Sequence, residues 1–484
     1  MVLTPATQQR LVRHSFRAVV LLLLAWHPGL AVGPSLAPPS PGLADDPVLA
    51  GLVQAALELR PEVAQARAAA QAVAEQVPQV GALPDPVVSL GIQNDSFRQI
   101  QIGKMETSYL SVMGSQTFPW RGKRALRTEA LTLAGRQAEA DHDRVRLSVA
   151  AEVERAYVDL LLGRDQLGLL SRLEALWAQA EGLARTRYET GDGAQSDLLR
   201  AQLERTRLQQ RRAVLTAEEQ RRVAVLNRAA GLPLDDAVTT GRSLASLPDP
   251  VLPELGQAAA DAEARSPELQ RAGLGVEQSA RLVELARQEY RPDLTVNAAL
   301  MPRWGPFGPM WQAGLSFSLP LWTGSKQSRA VTESQLRGTA AQSGAQAVRQ
   351  LLQQRVKERL AVLSALLESN RLYRSGLLIQ SEATVSSTLV QYQVGRVTFA
   401  SVLEALTGYL ADLNGFYESV AAAQRLDIAG REVSLEPVAD PGTGGMGGSA
   451  MPGAGGMGSG SAVETRPSSS LPEGTAGSGS TNRM

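Results

Sequence analysis

Two very long stretches of this chain carry a helical pattern that no proline interrupts. The first covers residues 123–190 and the second covers residues 326–394. In both, apolar residues recur mostly at steps of three and four, which is the spacing of one helix face. At 1.5 Å per residue, each helix would be roughly 100 Å long. Because this exceeds the width of a globular domain, we expect each helix to pack along its length as a coiled coil.

The chain also repeats itself. Four landmarks of the first half recur in the same order in the second half, and each long stretch ends at a Tyr-x-x-Gly segment followed by a shorter helix. Such self-similarity indicates a duplicated structural unit. We therefore interpret residues 48–245 and 246–436 as two copies of one unit. The matching landmarks are Pro61 with Pro267, Pro84 with Pro292, Pro119 with Pro320, and Gly191 with Gly395.

Each copy begins with a helical stretch, at 47–77 and 252–290, and continues into two short runs of alternating polarity. In the last run, Trp311 and Leu315 alternate with polar residues such as Gln312. A period of two over about ten residues is typical of a barrel strand between lipid and a polar lumen, and also of an ordinary half-buried hairpin. The four predicted strands are residues 86–97, 107–118, 293–301 and 310–319.

Four strands in one chain would leave two unpaired edges, which the hydrocarbon region of a membrane does not allow. Copies of the chain would have to supply the missing strands, and three copies would give twelve. The predicted fold is therefore mainly α with a membrane β-barrel. Each of the two tandem repeats is a long α-helical coiled-coil hairpin plus a two-stranded β-hairpin. A trimer closes a 12-stranded β-barrel and an α-helical barrel.

The N-terminus has the pattern of an export signal. Arg10, Arg13 and Arg17 precede a short apolar core at residues 18–26, and Pro28 follows it. The core is shorter than the ~20 residues that a membrane-spanning helix needs. We expect residues 1–31 to be a signal peptide and the Pro-rich residues 32–47 to be an extended lead-in. The mature protein is then expected to act outside the cytoplasm.

The composition excludes several classes of function. The 484 residues include no Cys and 3 His, and two of these, His14 and His27, lie in the predicted signal peptide. Thiolate metal sites, disulfides and histidine-based catalytic clusters are therefore excluded. Since 48 basic residues balance 48 acidic ones, nothing favours nucleic acid as a partner. We expect no enzyme activity and no cofactor, and the chain has no phosphate-binding loop with which to power transport.

Residues 48–436 resemble the TolC-type outer-membrane efflux protein family. The resemblance rests on three features. They are the duplicated Tyr-x-x-Gly hairpins with Leu199 and Leu403 downstream, the Pro-Asp pair that stands before the first strand of each copy, and residues 116–124, QTFPWRGKR. It implies a homotrimer that contacts outer-membrane lipid and extends across the periplasm. It also implies a passive duct whose partners are a periplasmic adaptor (membrane fusion protein) and an inner-membrane pump. Leu199 and Leu403 would lie on the hairpins that dock the adaptor.

The resemblance also implies positions for a periplasmic gate. Asp197 in the first copy and Tyr392 in the second match the polar residues that hold the family's tunnel shut, and Glu404 matches an acidic ring inside the tip. At the position where the family has its gate arginine, this chain has Val397, and Arg396 stands directly before it. Ordinary packing at helix ends, with glycine at positive φ, is the alternative interpretation of the Tyr-x-x-Gly segments. The remaining candidates at the tip are Tyr188, Gly191 and Gly395.

The cargo is predicted from methionines. The chain is similar to the heavy-metal branch of the family at Met105, Met113 and residues 116–124. This similarity favours heavy-metal cations as the cargo. Residues 437–484 form a Gly/Ser/Met-rich tail that we expect to be disordered. We expect no dedicated metal site there, although the thioethers of Met446, Met451 and Met457 would suit Cu(I).

Other functions remain open at this point. Within the same family, drug or solvent efflux and type I secretion are alternatives. From other classes, a periplasmic adaptor and a coiled-coil scaffold also have long helical hairpins. An adaptor would not duplicate a hairpin with a strand pair, and a scaffold would not explain alternating strands beside the proline turns.

Overall fold

The computed structural model describes residues 46–438. The predicted signal peptide, almost all of the lead-in and almost all of the tail lie outside these residues. The elements, in chain order, are α1 (Pro47–Leu59), α2 (Pro61–Gly81), β1 (Val87–Gln93), β2 (Tyr109–Phe118), α3 (Lys123–Glu189), α4 (Gln195–Ala230), α5 (Leu255–Arg265), α6 (Pro267–Gln288), β3 (Leu294–Met301), β4 (Met310–Phe317), α7 (Gln327–Leu372), α8 (Leu378–Gln393) and α9 (Phe399–Arg431). A short 3₁₀ turn lies at Leu244–Ser246.

Proline divides the helical stretch that begins each half. The sequence indicated a helical stretch over 47–77 and another over 252–290, and each consists of two helices in the structure. Pro61 is the first residue of α2 and Pro267 is the first residue of α6. Proline has no backbone N–H to donate to the preceding turn but fits the first position of a helix. The chain therefore bends at both prolines and starts a new helix.

The long helices agree with the predicted length, but only one is regular. Helix α3 runs for 67 residues without interruption, which corresponds to roughly 100 Å. In the second half, a five-residue π-turn at Tyr373–Leu377 separates α7 from α8. The ring of Tyr373 packs 6.0 Å from that of Phe416 in α9, and Arg374 pairs with Asp249 at 2.5 Å. These tertiary contacts surround the interruption, and the helical period of the sequence does not reveal them.

The strands form one antiparallel sheet in the order β1-β2-β3-β4. The central pair joins the two halves of the chain, because Phe118 at the end of β2 lies opposite Leu294 at the start of β3. Strand β1 ends at Gln93 rather than at 97, since Asn94 turns the chain by accepting from Gln101 N–H at 2.7 Å. Strand β4 ends at Phe317 rather than at 319, shortly before Pro320.

Cross-strand register divides the sheet into two faces, because opposite residues point to the same side and successive residues alternate. We call them the polar face and the apolar face. The polar face includes Ser89, Gln93, Ser111, Ser115, Thr117, Thr295, Asn297, Gln312 and Ser316. The apolar face includes Val88, Leu90, Ile92, Val112, Val296, Leu300, Trp311, Leu315 and Phe317.

The hydrophobic core lies among the helices rather than against the sheet. It is an elongated cluster to which α3 contributes more buried residues than any other element, including Tyr157, Leu160 and Leu173. Helices α1, α4, α8 and α9 contribute most of the remainder, together with Val63 of α2 and with Leu244 and Leu247 at the 3₁₀ turn. Burial of this stripe holds the long helices side by side, so the ends of both hairpins are brought together at one end of the molecule.

Candidate functional site

The candidate gate lies at the two hairpin ends, where α3 turns into α4 and α8 turns into α9. Gly191 and Gly395 adopt φ of 82° and 74°, which glycine accepts without steric cost. In the first turn Asp192 N–H donates to the carbonyl of Arg187 at 2.9 Å, and in the second Arg396 N–H donates to the carbonyl of Gln391 at 2.9 Å. The N–H groups of Gly191 and Gly395 donate to the carbonyls three residues earlier, so both turns are Schellman motifs.

Arg187 joins the two hairpin ends. Its guanidinium donates to the carbonyl of Tyr392 at 2.8 Å and to that of Asp192 at 2.9 Å. The same group lies 4.9 Å from the centroid of the Tyr392 ring, a cation–π distance. A Cβ at Gly395 would be 3.3 Å from Arg187 Nη2, so glycine at this position also leaves room for the arginine. Arg187 therefore fixes the first turn to the second.

Tyr392 is the buried centre of this contact. Only 1 % of its surface is exposed, and its ring lies 5.4 Å from that of Phe399 in an edge-to-face arrangement. Its hydroxyl lies 3.4 Å from Asp197 Oδ2, a long hydrogen bond. Burial and the nearby Asp197 carboxylate raise the pKa of Tyr392, so the phenol stays protonated and donates. We call Arg187, Asp192, Asp197, Tyr392 and Phe399 the tip cluster.

The other predicted gate and docking residues lie outside the tip cluster. Tyr188 is 44 % exposed and Leu199 is 55 % exposed, so both side chains face outward on the single chain. Leu403 is half-buried against the core, one residue before the exposed Glu404. Within the part of the chain that the structure describes, the Glu404 carboxylate forms no ion pair. The tail residues Met446, Met451 and Met457 lie outside the described residues.

Sequence reasoning gave Arg187 no role at the tip. The residue stands directly before Tyr188 and is one of many arginines on the helices, so neither composition nor period distinguishes it. Its role depends on the separation of two hairpins about 200 positions apart in sequence, which only packing sets.

A second polar junction lies at the base of the sheet. Lys123, the first residue of α3, is 2 % exposed. Its Nζ donates to Glu289 Oε2 at 3.1 Å, to the carbonyl of Arg291 at 2.9 Å and to Asp293 Oδ1 at 3.0 Å. Trp120 N–H donates to the same Asp293 oxygen at 2.8 Å. The turn that follows β2 is thereby tied to the segment that enters β3.

Among residues 46–438, no group of three or more His, Cys, Asp or Glu side chains has the arrangement of a metal site. In the same residues, no helix is both long and apolar enough to cross a membrane.

Comparison with known families identifies the chain. The family model described as outer membrane efflux protein matches residues 52–232 and 258–415, which is most of the chain. The chain therefore belongs to the outer membrane efflux protein family. It is a passive channel component of the outer membrane that extends into the periplasm, and it is not an enzyme.

Solved structures share the fold at low sequence identity. The outer-membrane channel OprN is 18 % identical, with a TM-score of 0.69 over 81 % of this chain and 92 % of its own. VceC from Vibrio cholerae is 19 % identical, with a TM-score of 0.66 over 79 % and 95 % of the two chains. The Campylobacter jejuni channel CmeC is 15 % identical, with a TM-score of 0.66 over 83 % and 89 %. No curated protein sequence matches the chain.

Proposed function

We propose that this chain forms the homotrimeric outer-membrane duct of a tripartite efflux system that exports heavy-metal cations. In this proposal, three copies close a 12-stranded barrel and a helical tunnel. A periplasmic adaptor docks on the hairpin ends near Leu199 and Leu403, and an inner-membrane pump supplies the energy. Asp197, Tyr392 and Glu404 belong to the periplasmic gate, and residues 48–245 and 246–436 act as tandem repeats.

The observation that carries the proposal is the incomplete sheet. Within the described chain, β1 and β4 each pair on one side only. Apolar-face residues are uncovered by protein, with Leu90 79 % and Trp311 77 % exposed. Unpaired strand edges are unfavourable in lipid, whereas a bare apolar surface is unfavourable in water, and copies of the chain that close the sheet within the membrane would remove both costs. A closed ring would turn the apolar face to lipid and the polar face to the lumen.

The junction at Lys123 supplies a template for the contact between copies. In the ring, β4 of one copy would lie beside β1 of the next, as β2 lies beside β3 within the chain. Lys326 stands at the N-cap position of α7 after β4, and Asp85 precedes β1 as Asp293 precedes β3. Both side chains are exposed and have no ion-pair partner among the described residues. Lys326 of one copy is therefore expected to pair with Asp85 of its neighbour.

The test combines stoichiometry, conductance and export. The full-length protein, purified in detergent, is expected to have the mass of three chains and to form ion-conducting channels in planar bilayers. Deletion of its gene is expected to sensitise cells to silver, copper, zinc or cobalt salts and to leave sensitivity to drugs and solvents unchanged. A monomer without conductance would refute the duct. A trimer whose loss sensitises cells to drugs alone would replace the cargo with the drug alternative.

A further inference from the structure

Methionine is distributed very unevenly in this chain. Residues 46–438 contain four methionines, Met105, Met113, Met301 and Met310. One lies in the loop between β1 and β2 and three lie in strands, and none lies in a helix. An apolar residue used only to fill gaps would be expected in the extensive helical core as well. The methionines are instead confined to the sheet and one of its loops.

The three strand methionines all lie on the polar face. Met301 lies directly opposite Met310, and Met113 lies opposite Ala299, two residues from Met301 along β3. Directly opposite Cβ atoms are about 5 Å apart and diagonal ones about 7–8 Å. Met113, Met301 and Met310 are therefore contiguous across β2, β3 and β4, on a face whose other members are mostly Ser, Thr, Asn and Gln.

Exposure is consistent with a site that is open to the lumen. Met301, the central residue, is 8 % exposed, whereas Met113 is 37 % and Met310 is 36 % exposed. The two outer thioethers can thus be reached from solvent, and their unbranched side chains have the freedom to turn toward the central one. All three come from one chain, so the arrangement needs no residue of a neighbouring copy.

Thioether sulfur is a soft ligand that prefers Cu(I) and related soft monovalent ions to hard divalent cations. We propose that Met113, Met301 and Met310 form a transit site for Cu(I) or Ag(I) on the polar face. The proposal rests on the proposed function, in which this face lines the duct. Three thioethers without a charged ligand bind an ion without neutralising it, which suits an ion that must leave again.

Ag(I) is the probe, because it binds thioethers and needs no reductant. X-ray absorption of Ag(I) bound to the purified full-length protein is expected to show sulfur neighbours. Since the chain has no Cys, every sulfur ligand must be methionine. The variant M113L/M301L/M310L keeps side-chain volume and apolar character. It is expected to lose the sulfur signal and to bind Ag(I) more than about tenfold more weakly, since even outer-shell changes weaken metal sites by that factor.

The tail supplies a matched control with the same number of changes, M446L/M451L/M457L, which is expected to bind Ag(I) as the wild type does. Loss of the sulfur signal in the tail variant alone, or a wild-type protein without sulfur neighbours, would overturn the proposal. The single variant M310L, at a more exposed position, tests the site should the triple variant fail to assemble, and it is expected to weaken binding. Mass and conductance are measured on the same samples. A conducting trimer without thioether binding would refute this site alone, whereas a non-conducting monomer would refute the duct.

Discussion

Removal of the Arg187 side chain is expected to loosen the tip. The variant R187Q loses the charged hydrogen bond to the carbonyl of Tyr392 and the stacking over its ring. A hydrogen bond from a charged group contributes about 1.5–3 kcal/mol, and a cation–π contact contributes about 0.5–1 kcal/mol at an exposed site. The Tyr392 carbonyl also accepts from Gly395 N–H at 3.0 Å, so it is not left unpaired and the lower values apply.

The expected loss is thus about 2 kcal/mol per chain, which corresponds to about a thirtyfold rise in the ratio of separated to joined hairpin ends. Single-channel recordings in planar bilayers should then show higher mean conductance for R187Q than for the wild type. Limited proteolysis should cut the turn at 190–194 faster. R187K, which keeps the charge but not the fork of donors, should be intermediate.

A matched control is R185Q, on the same helix two residues away. Arg185 is exposed and its carboxylate partner Glu181 lies at 3.6 Å, so its removal should change stability by less than about 1 kcal/mol. If R187Q conducts and resists proteolysis as R185Q does, Arg187 does not hold the tip together. The same result would show that the contact between the turns has no part in closure.

Four further predictions concern single positions or pairs. Glu404→Gln should weaken the block of single-channel current by divalent cations, because facing carboxylates sum their potentials at a constriction; an unchanged block would argue against an acidic ring. Lys123→Met should destabilise the base of the sheet by about 3 kcal/mol, since it leaves two carboxylates without their buried cation, and heat dissociation of the oligomer measures this. Gly395→Ala should speed amide hydrogen exchange at the second turn, because a φ of 74° costs an L-residue about 1 kcal/mol; unchanged exchange would contradict that strain. Charge reversals Lys326→Asp and Asp85→Lys should each lower the dissociation temperature of the trimer, and the double reversal should restore it, whereas additive losses would exclude a direct pair.

The sequence by itself determined the elements and their order. Period, length and the absence of proline located the long helices, and alternation located the strands to within a few residues. Those features are local, since each depends on residues close in sequence. The breaks at Pro61 and Pro267 are local as well, although the helical pattern continues on both sides of each proline. The positive φ of Gly191 and Gly395 followed from their place at helix ends, and the structure confirms it.

The tertiary structure decided which distant residues meet. Arg187 reaches Tyr392, Lys123 is buried between Glu289 and Asp293, and Met301 lies opposite Met310. The register of the sheet and the packing of the long helices set each of these contacts. A shift of a single residue in the sheet register would move every side chain of a strand to the other face. In a helix, successive side chains are about 100° apart, so the same shift would turn the contacts away from their partners. Periodicity specifies which face of an element is apolar, but it does not specify which residue a polar side chain contacts. That partner depends on the position of the whole neighbouring element.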